Sequence, residues 1–120
     1  MSKLEVMNLV KLTKNAAYAE TFLKAIANRH RLLILCELHK GERSVTRLLE
    51  TLDLSQSSLS QHLARLRKDQ IVKTRRESQT IYYSLADSSV TRIISTLYDI
   101  YCSETANPSR KKTLERTPRP

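Results

Sequence analysis

The sequence predicts a mainly α-helical domain that carries one small β-hairpin, and two observations support this fold class. Apolar residues recur at helical spacing through most of the chain, whereas residues 72–76 and 80–84 are β-branched and aromatic. The length of 120 residues suits a single domain. The 21 Lys and Arg outnumber the 12 Asp and Glu, and the net charge of +9 favours a polyanionic partner, either nucleic acid or an acidic membrane surface.

The first two predicted helices cover residues 9–26 and 28–40. The first has apolar residues at spacings of three and four, namely Leu12, Ala16, Ala19, Phe22, Leu23 and Ile26. Asn28 has a side chain suited to the N-cap of the second helix. Gly41 stands where the chain leaves that helix, because glycine tolerates the left-handed conformation of a C′ residue.

Two shorter helices follow, and each is predicted to begin after a serine. Ser44 caps a helix through residue 51, and Ser55 caps a fourth helix that reaches residue 68 after a tight connection at 53–55. The inward stripe of the fourth helix consists of Leu59, Leu63 and Leu66. Two helices joined by such a short turn are typical of a helix-turn-helix.

A β-hairpin and a last helix complete the predicted domain. The two extended segments are separated by a polar tip at 77–79, which lacks the glycine that a tight primed turn favours. Asp87 is predicted to cap a helix that ends near Glu104. Its apolar positions are Val90, Ile93, Ile94, Leu97, Tyr98 and Tyr101. Four helices, a two-stranded hairpin and a fifth helix, in this order, describe a winged helix-turn-helix.

The fourth helix and the hairpin carry the residues that we expect to bind DNA. Short polar side chains occupy the first two turns of this helix, where recognition helices enter the major groove, and basic side chains follow at its end and on the hairpin. The predicted contacts are Ser55, Gln56, Ser57, Ser58, Ser60, Gln61, His62, Arg65, Arg67, Lys68, Lys73, Arg75 and Arg76. Alternatively, Ser55 is only a cap and the polar face is ordinary solvated surface. The basic hairpin and the positive net charge favour DNA binding.

Composition argues against an enzyme, a membrane protein and a secreted protein. Gly41 is the only glycine, which excludes a P-loop, a Rossmann fingerprint and a nucleophile elbow, and no paired acid and base residues are evident. The longest apolar run, residues 32–36, is far shorter than a membrane span. The N-terminus has no signal-peptide pattern, so we expect a cytoplasmic protein without a membrane partner.

The end of the chain, residues 105–120, differs in composition from the domain that we place at 1–104. It contains all three prolines and five basic residues against one acidic residue. Because such a segment cannot bury enough apolar surface to offset its ordering entropy, we predict a basic, disordered tail.

Several segments resemble the ArsR family of winged-helix repressors. They are LKAIANRHRL at 23–32, SQSSLSQHLARLR at 55–67, IVKTRR at 71–76 and IYYSL at 81–85. The resemblance implies a homodimer through the first and last helices, which binds an imperfect inverted repeat in promoter DNA and is weakened by an inducer. The apolar stripe of the last helix is broad enough for a dimer interface, although the core of a single chain could also use it.

Metal-sensing members of this family use paired cysteines in the third helix or Asp and His residues along the last helix. Here the third helix has no cysteine and the last helix has no histidine. His30, His39 and His62 have no ligand spacing between them. We therefore expect no metal site and no cofactor.

Two cysteines remain, Cys36 in the second helix and Cys102 at the end of the last. If the last helix packs across the second, the two thiols can approach each other. The pairs Leu35-Cys36 and Tyr101-Cys102 resemble the BigR, SqrR and HlyU subgroup, which implies a dithiol that senses persulfides, polysulfides or oxidants by forming a disulfide or polysulfide bridge. Two alternatives stay open: a promoter-binding regulator or antirepressor whose cysteines are inert packing residues, and a domain that binds another protein.

Overall fold

The elements of the computed structural model follow the predicted order, with one short strand added. The structure describes residues 2–102, and the predicted tail at 105–120 lies outside the described residues. The elements are α1 (Lys3–Ile26), α2 (Arg29–His39), β1 (Arg43–Ser44), α3 (Val45–Thr51), α4 (Gln56–Lys68), β2 (Val72–Glu77), β3 (Thr80–Leu85) and α5 (Ser88–Tyr101). The prediction of a mainly helical winged helix-turn-helix is confirmed.

The four predicted N-caps all accept hydrogen bonds from the first turn of their helices. The side-chain oxygens of Asn28, Ser44, Ser55 and Asp87 lie 3.0 to 3.1 Å from backbone nitrogens there. Each cap satisfies an N–H group that would otherwise have no partner within the helix. Gly41 follows α2 with a φ of +147°, a conformation that a residue with a Cβ rarely adopts, so its predicted role as the stop of α2 is also confirmed.

The first helix begins earlier than predicted, at Lys3 instead of residue 9. The hydroxyl oxygen of Ser2 accepts a hydrogen bond from the amide of Glu5 at 3.1 Å, so Ser2 is the N-cap. Ser-x-x-Glu is the capping-box pattern, a local signal that hydrophobic periodicity does not reveal. Only Ala25 and Ile26 of α1 are buried, so most of the predicted apolar stripe is exposed in the single chain.

The hairpin is part of a three-stranded antiparallel sheet in the order β1-β3-β2. Strand β1 was not predicted, because its two residues are too few to show the alternation of a strand. Strands β2 and β3 pair along their whole length, with Arg75 opposite Tyr82. At the tip, Ser78 has a φ of +58°, so a serine adopts the left-handed conformation that glycine would favour.

The last helix ends at Tyr101, with Cys102 as its C-cap, and not at Glu104 as predicted. The residues that follow Cys102 directly are polar, so no apolar side chain there continues the stripe. Helix α5 packs against α2 and against β3. This packing fixes the end of the last helix beside the second helix.

The core lies between the helices and the inner face of the sheet. Its buried apolar residues are Ala25, Ile26, Ile34, Leu35, Leu38, Leu48, Leu59, Leu63, Leu66, Ile71, Val72, Val90 and Ile94. They include the whole predicted stripe of α4 but only two positions of the α5 stripe, because Ile93 is 41% exposed and Leu97, Tyr98 and Tyr101 are half-buried. Among residues 2–102, no helix is long and apolar enough to cross a membrane.

Candidate nucleic-acid interface and cysteine pair

The outer side of α4 consists of the polar side chains that its leucine stripe leaves uncovered. Leu59, Leu63 and Leu66 are at most 2% exposed, so the core fixes the rotation of the helix about its axis. The exposed polar side chains of α4 are Gln56, Ser57, Ser60, Gln61, Arg65, Arg67 and Lys68. A rigid helix that presents such groups can place them along the edges of bases in a DNA groove.

Ser55 and Ser58 differ from the rest of this face because they form the helix cap. Ser55 Oγ accepts the hydrogen bond of the Ser58 amide at 3.1 Å and lies 3.5 Å from Ser57 Oγ. Ser58 is half-buried, whereas Ser55 is exposed. The interpretation of Ser55 as a cap is therefore confirmed, and a contact from either residue to DNA stays a prediction.

The basic end of α4 borders a cleft that opens between this helix, α3 and the sheet. Arg65 is engaged within the protein, since its Nε donates to Asp69 at 2.8 Å. Arg67 and Lys68 are exposed and line the cleft together with Ser60; its volume is about 520 Å³. Two cations and a hydroxyl at one opening suit a phosphate of the DNA backbone.

His62 does not lie with the exposed polar face of α4. Its half-buried ring packs against the start of α2, where Arg31 Nη1 is 3.5 Å from His62 Nδ1 and the His30 ring centroid is 5.7 Å away. Burial, and then the charges of Arg31 and His30, lower the pKa of His62. The lowered pKa favours the uncharged ring, and the ring is held against α2, so His62 is a weaker DNA contact than the exposed polar side chains of α4.

The folded chain thus brings together two histidines that are far apart in sequence. His30 belongs to α2 and His62 to α4, and the spacing of the two residues in the sequence does not predict their contact. Within the described part of the chain, no group of three or more His, Cys, Asp or Glu side chains could hold a metal ion.

The β2–β3 hairpin forms the wing of the fold, and its three basic residues on β2 have different surroundings. All three are exposed on β2, and Arg76 Nε donates a hydrogen bond to the carbonyl oxygen of Ser78 at 3.3 Å. Arg75, in contrast, donates hydrogen bonds to the carboxylates of Glu42 and Glu77, each as short as 2.7 Å. Glu42 had not been singled out in the sequence, because a lone acidic residue in a loop belongs to no periodic pattern or motif. Lys73 and Arg76 are therefore more accessible to nucleic acid than Arg75.

Cys36 and Cys102 meet where α5 packs across α2. Their Sγ atoms lie 3.8 Å apart, which confirms the expectation that the last helix brings the two thiols together. One turn away, the rings of His39 and Tyr98 are in contact, with centroids 5.0 Å apart. Cys36 is half-buried and Cys102 is exposed, so solvent reaches the pair from the side of Cys102.

The surroundings of Cys36 keep its thiol protonated at neutral pH. Burial, together with the adjacent Cys102, raises the pKa of Cys36 to about 12, and the positive charge of Lys40 opposes this increase only in part. Glu37, which is 8% exposed, contributes further to the increase. The exposed Cys102 is thus the thiol that an incoming sulfur compound meets first.

Helix α4 buries one face, exposes a polar face and follows the short helix α3, and the basic β2–β3 hairpin lies beside it. This arrangement defines a winged-helix DNA-binding protein. Residues 28–74 match the profile of the family described as bacterial regulatory protein, arsR family. The matched segment runs from the N-cap of α2 into β2 and so contains the complete helix-turn-helix.

The chain is similar to known transcriptional regulators over most of its length. The chain is 51% identical over 96 residues to the transcriptional activator HlyU of Vibrio cholerae serotype O1, which covers 80% of this chain and 89% of HlyU. It is 42% identical over 96 residues to the biofilm growth-associated repressor of Agrobacterium fabrum, covering 80% and 82% of the two chains. The structure of reduced HlyU from V. cholerae N16961 superposes with a TM-score of 0.74 at 49% identity, over 78% of this chain and 98% of that one. The chain belongs to the ArsR family and is a DNA-binding transcriptional regulator, not an enzyme.

Proposed function

We propose that this chain acts as a homodimeric repressor that binds an imperfect inverted repeat in promoter DNA and is switched by a bridge between Cys36 and Cys102. The observation that carries the proposal is the separation of 3.8 Å between the two sulfur atoms. A small movement suffices for a direct disulfide, and inserted sulfur atoms can join a wider pair. The inducers are persulfides, polysulfides or oxidants. The protein acts in the cytoplasm, and no metal or other cofactor takes part.

The exposed side chains of α4 support reading of the major groove. Gln can form two hydrogen bonds with adenine, and Ser can bond to either type of base. We assign the contacts with base edges to Gln56, Ser57, Ser60 and Gln61. We assign the phosphates to Arg65, Arg67, Lys68, Lys73 and Arg76. Ser55 and Ser58 of the helix cap, His62 and Arg75 border the same surface. Arg65 pairs with Asp69 through Nε, whereas all three guanidinium nitrogens of Arg75 are hydrogen-bonded to carboxylates.

The many exposed apolar residues of helix α1 support a homodimer. Its exposed large apolar side chains are Leu4, Val6, Met7, Leu9, Val10, Leu12, Tyr18 and Leu23. A groove of about 680 Å³ between the end of α1 and α5 continues this surface. Because a helix gains most of its stability from packing, a second copy that covers α1 and α5 would stabilise both helices. The two α4 helices of the dimer would then lie about one DNA turn, roughly 34 Å, apart.

The reaction of the thiols begins at Cys102. With an organic trisulfide, the Cys102 thiolate attacks the central sulfur, forms an S–S bond to it and releases one thiolate. Cys36 then loses its proton and attacks the same sulfur, which releases a second thiolate and leaves the two cysteines joined through one inserted sulfur. The two protein thiols are oxidised, and the trisulfide is reduced to two thiols. With a persulfide, the Cys102 thiolate attacks the outer sulfur and releases a thiolate; Cys36 then attacks the sulfur atom of Cys102 itself and releases hydrosulfide, which leaves a direct disulfide, a thiol and hydrogen sulfide.

The bridge would act on DNA binding through the packing of α2. It ties α5 to α2, and α2 also packs against α4. In a dimer built on α1 and α5, a small shift between α5 and α2 displaces both α4 helices from their spacing on DNA. A coupling free energy of ~3 kcal/mol lowers the affinity for the operator about 150-fold.

The test uses the full chain and an operator duplex, defined as the duplex that the reduced chain selects from a random-sequence pool. Reduced protein is treated with a glutathione persulfide donor, and the intact mass and the affinity for the operator duplex are measured on the same sample. We expect the loss of two hydrogens, with or without added sulfur, and weaker binding that a reductant restores. Absence of a link, or a link with unchanged affinity, contradicts the proposal.

A regulator whose cysteines are inert is the second candidate. The raised pKa of Cys36 favours it, because the thiolate and not the thiol is the nucleophile. This candidate predicts that the affinity for the operator duplex is the same whatever the oxidation state of Cys36 and Cys102. The same titration therefore separates the two candidates.

A further inference from the structure

The side chain of Arg75 crosses the outer face of the sheet. Its guanidinium lies over the ring of Tyr82, 4.7 Å from the ring centroid, and Tyr82 belongs to β3, the central strand. Beyond that ring, Nη2 donates to Glu42 Oε1 at 2.7 Å, and Nε lies 3.1 and 3.2 Å from the two carboxylate oxygens. On the other side, Nη1 donates to Glu77 at 2.7 Å. All three nitrogens of the guanidinium are therefore hydrogen-bonded within the protein.

The pairing of Arg75 with Glu42 joins two parts of the fold that the sheet does not join directly. Glu42 lies between the end of α2 and Arg43, the first residue of β1. Within the described sheet, β2 pairs with β3 and is separated from β1 by it, because the strand order is β1-β3-β2. We call Glu42, Arg75 and Tyr82 the wing strap, since together they fasten the outer strand of the wing to the segment after α2.

We propose that Arg75 is a positioning residue of the DNA-binding wing and that it makes no contact with phosphate. The wing strap holds β2 at a fixed angle to α2, so that Lys73 and Arg76 on the same strand meet the DNA backbone in one position. This inference depends on DNA binding by the wing and not on the cysteine switch.

The chemistry of the strap supports a structural role for Arg75. Arginine and a carboxylate form strong, directional pairs when two nitrogens face two oxygens. The hydrogen bond from Arg75 lowers the pKa of Glu42, so this carboxylate stays charged at neutral pH. A phosphate would have to displace two carboxylates from Arg75 before it could bind there.

The test compares Glu42→Gln, Arg75→Gln and the double variant of the full chain, with the affinity for the operator duplex measured over a salt series. If the strap positions the wing, Glu42→Gln and Arg75→Gln each weaken binding, by up to about fivefold, and Arg75→Gln has the larger loss because it also removes the contacts with Glu77 and Tyr82. The double variant then binds no more weakly than Arg75→Gln, because both substitutions break the pair of Arg75 with Glu42. If Arg75 instead contacts phosphate, Glu42→Gln strengthens binding by removing a competing carboxylate, and Arg75→Gln lowers the slope of log affinity against log salt by about one.

Two further variants serve as controls. Glu50→Gln removes a more exposed carboxylate from α3, where it pairs with Arg47 at 3.9 Å, and should bind DNA at least as tightly as the natural chain. Arg76→Gln removes the neighbouring arginine and should lower the salt slope. A single cooperative thermal transition in every variant would confirm an intact fold. Tighter binding by Glu42→Gln, or additive losses in the double variant, would overturn the positioning role.

Discussion

Helix α4 and the cysteine pair are built in opposite ways. Helix α4 buries one stripe of leucines and exposes a row of separate polar side chains, so each of these side chains can act on its own. The cysteine pair joins two helices through residues 66 positions apart in sequence, and neither thiol can form the bridge alone. We therefore expect substitutions on α4 to have graded effects on DNA binding, whereas one substitution in the cysteine pair should remove an entire response.

The largest effect is expected for Cys36→Ser. Serine has nearly the size of cysteine but cannot form an S–S bond, so the drop in operator affinity of about 150-fold on persulfide treatment should vanish. Fluorescence anisotropy with the operator duplex, before and after treatment, measures this change. The untreated variant, which should bind like the reduced natural chain, is the control. A response that survives in Cys36→Ser would show that the pair does not act as a unit.

A smaller and more local effect is expected for Gln61→Ala on α4. Loss of hydrogen bonds to one base should cost about 1–3 kcal/mol in discrimination at that position of the operator. Competition titrations with operator duplexes that differ at single base pairs would locate the position. Affinity for a random-sequence duplex should not change, and a uniform loss over all sequences would assign Gln61 to the backbone instead.

A substitution at the basic end of α4 should affect all sequences alike. Arg67 lines the cleft beside Ser60 and Lys68, and we expect Arg67→Gln to lower the slope of log affinity against log salt by about one. Titrations of the operator duplex and a random-sequence duplex at several salt concentrations measure the slopes. An unchanged slope for both duplexes would remove Arg67 from the phosphate contacts.

His62 is the exception on α4, because its ring faces α2, and its effect should be the smallest. Its pKa lies below the ordinary value of about 6.5, so just below that pH the unfolded chain binds a proton more readily than the folded chain. The stability that His62 contributes is therefore complete above about pH 6.5, and it is lost as the pH falls from there through the lowered pKa of the folded chain. Thermal midpoints between about pH 7.5 and 5.5 should fall less steeply for His62→Gln than for the natural chain. Equally steep curves would contradict this account of His62.

The features that the sequence predicted correctly are those with local causes. Each N-cap acts on the turn that follows it, and the leucine stripe of α4 repeats within one helix, so both are visible in a short window. The capping box of Ser2 and Glu5 is equally local, and attention to periodicity alone overlooked it. The two-residue strand β1 is too short to produce any pattern.

The features that the sequence did not predict are contacts between distant elements. The pairing of Glu42 with Arg75 and the contact between the rings of His30 and His62 arise from helix and strand packing, and their residue types occur in any solvated surface. The approach of Cys36 to Cys102, in contrast, was predicted, from the resemblance to the subgroup and on the condition that α5 packs across α2. Composition and periodicity do not determine this packing, because each helix shows only which of its faces is apolar.

One measurement tests the central claim most directly, namely the release of a preformed protein–operator complex while its thiols are converted. A persulfide donor is added to the complex, and operator anisotropy and the bridged fraction of protein, from intact mass, are followed together. We predict that the anisotropy falls in step with the bridged fraction and recovers when a reductant is added. Complete bridging of Cys36 to Cys102 with the operator still bound, or an equal release from the Cys36→Ser variant, would contradict the account.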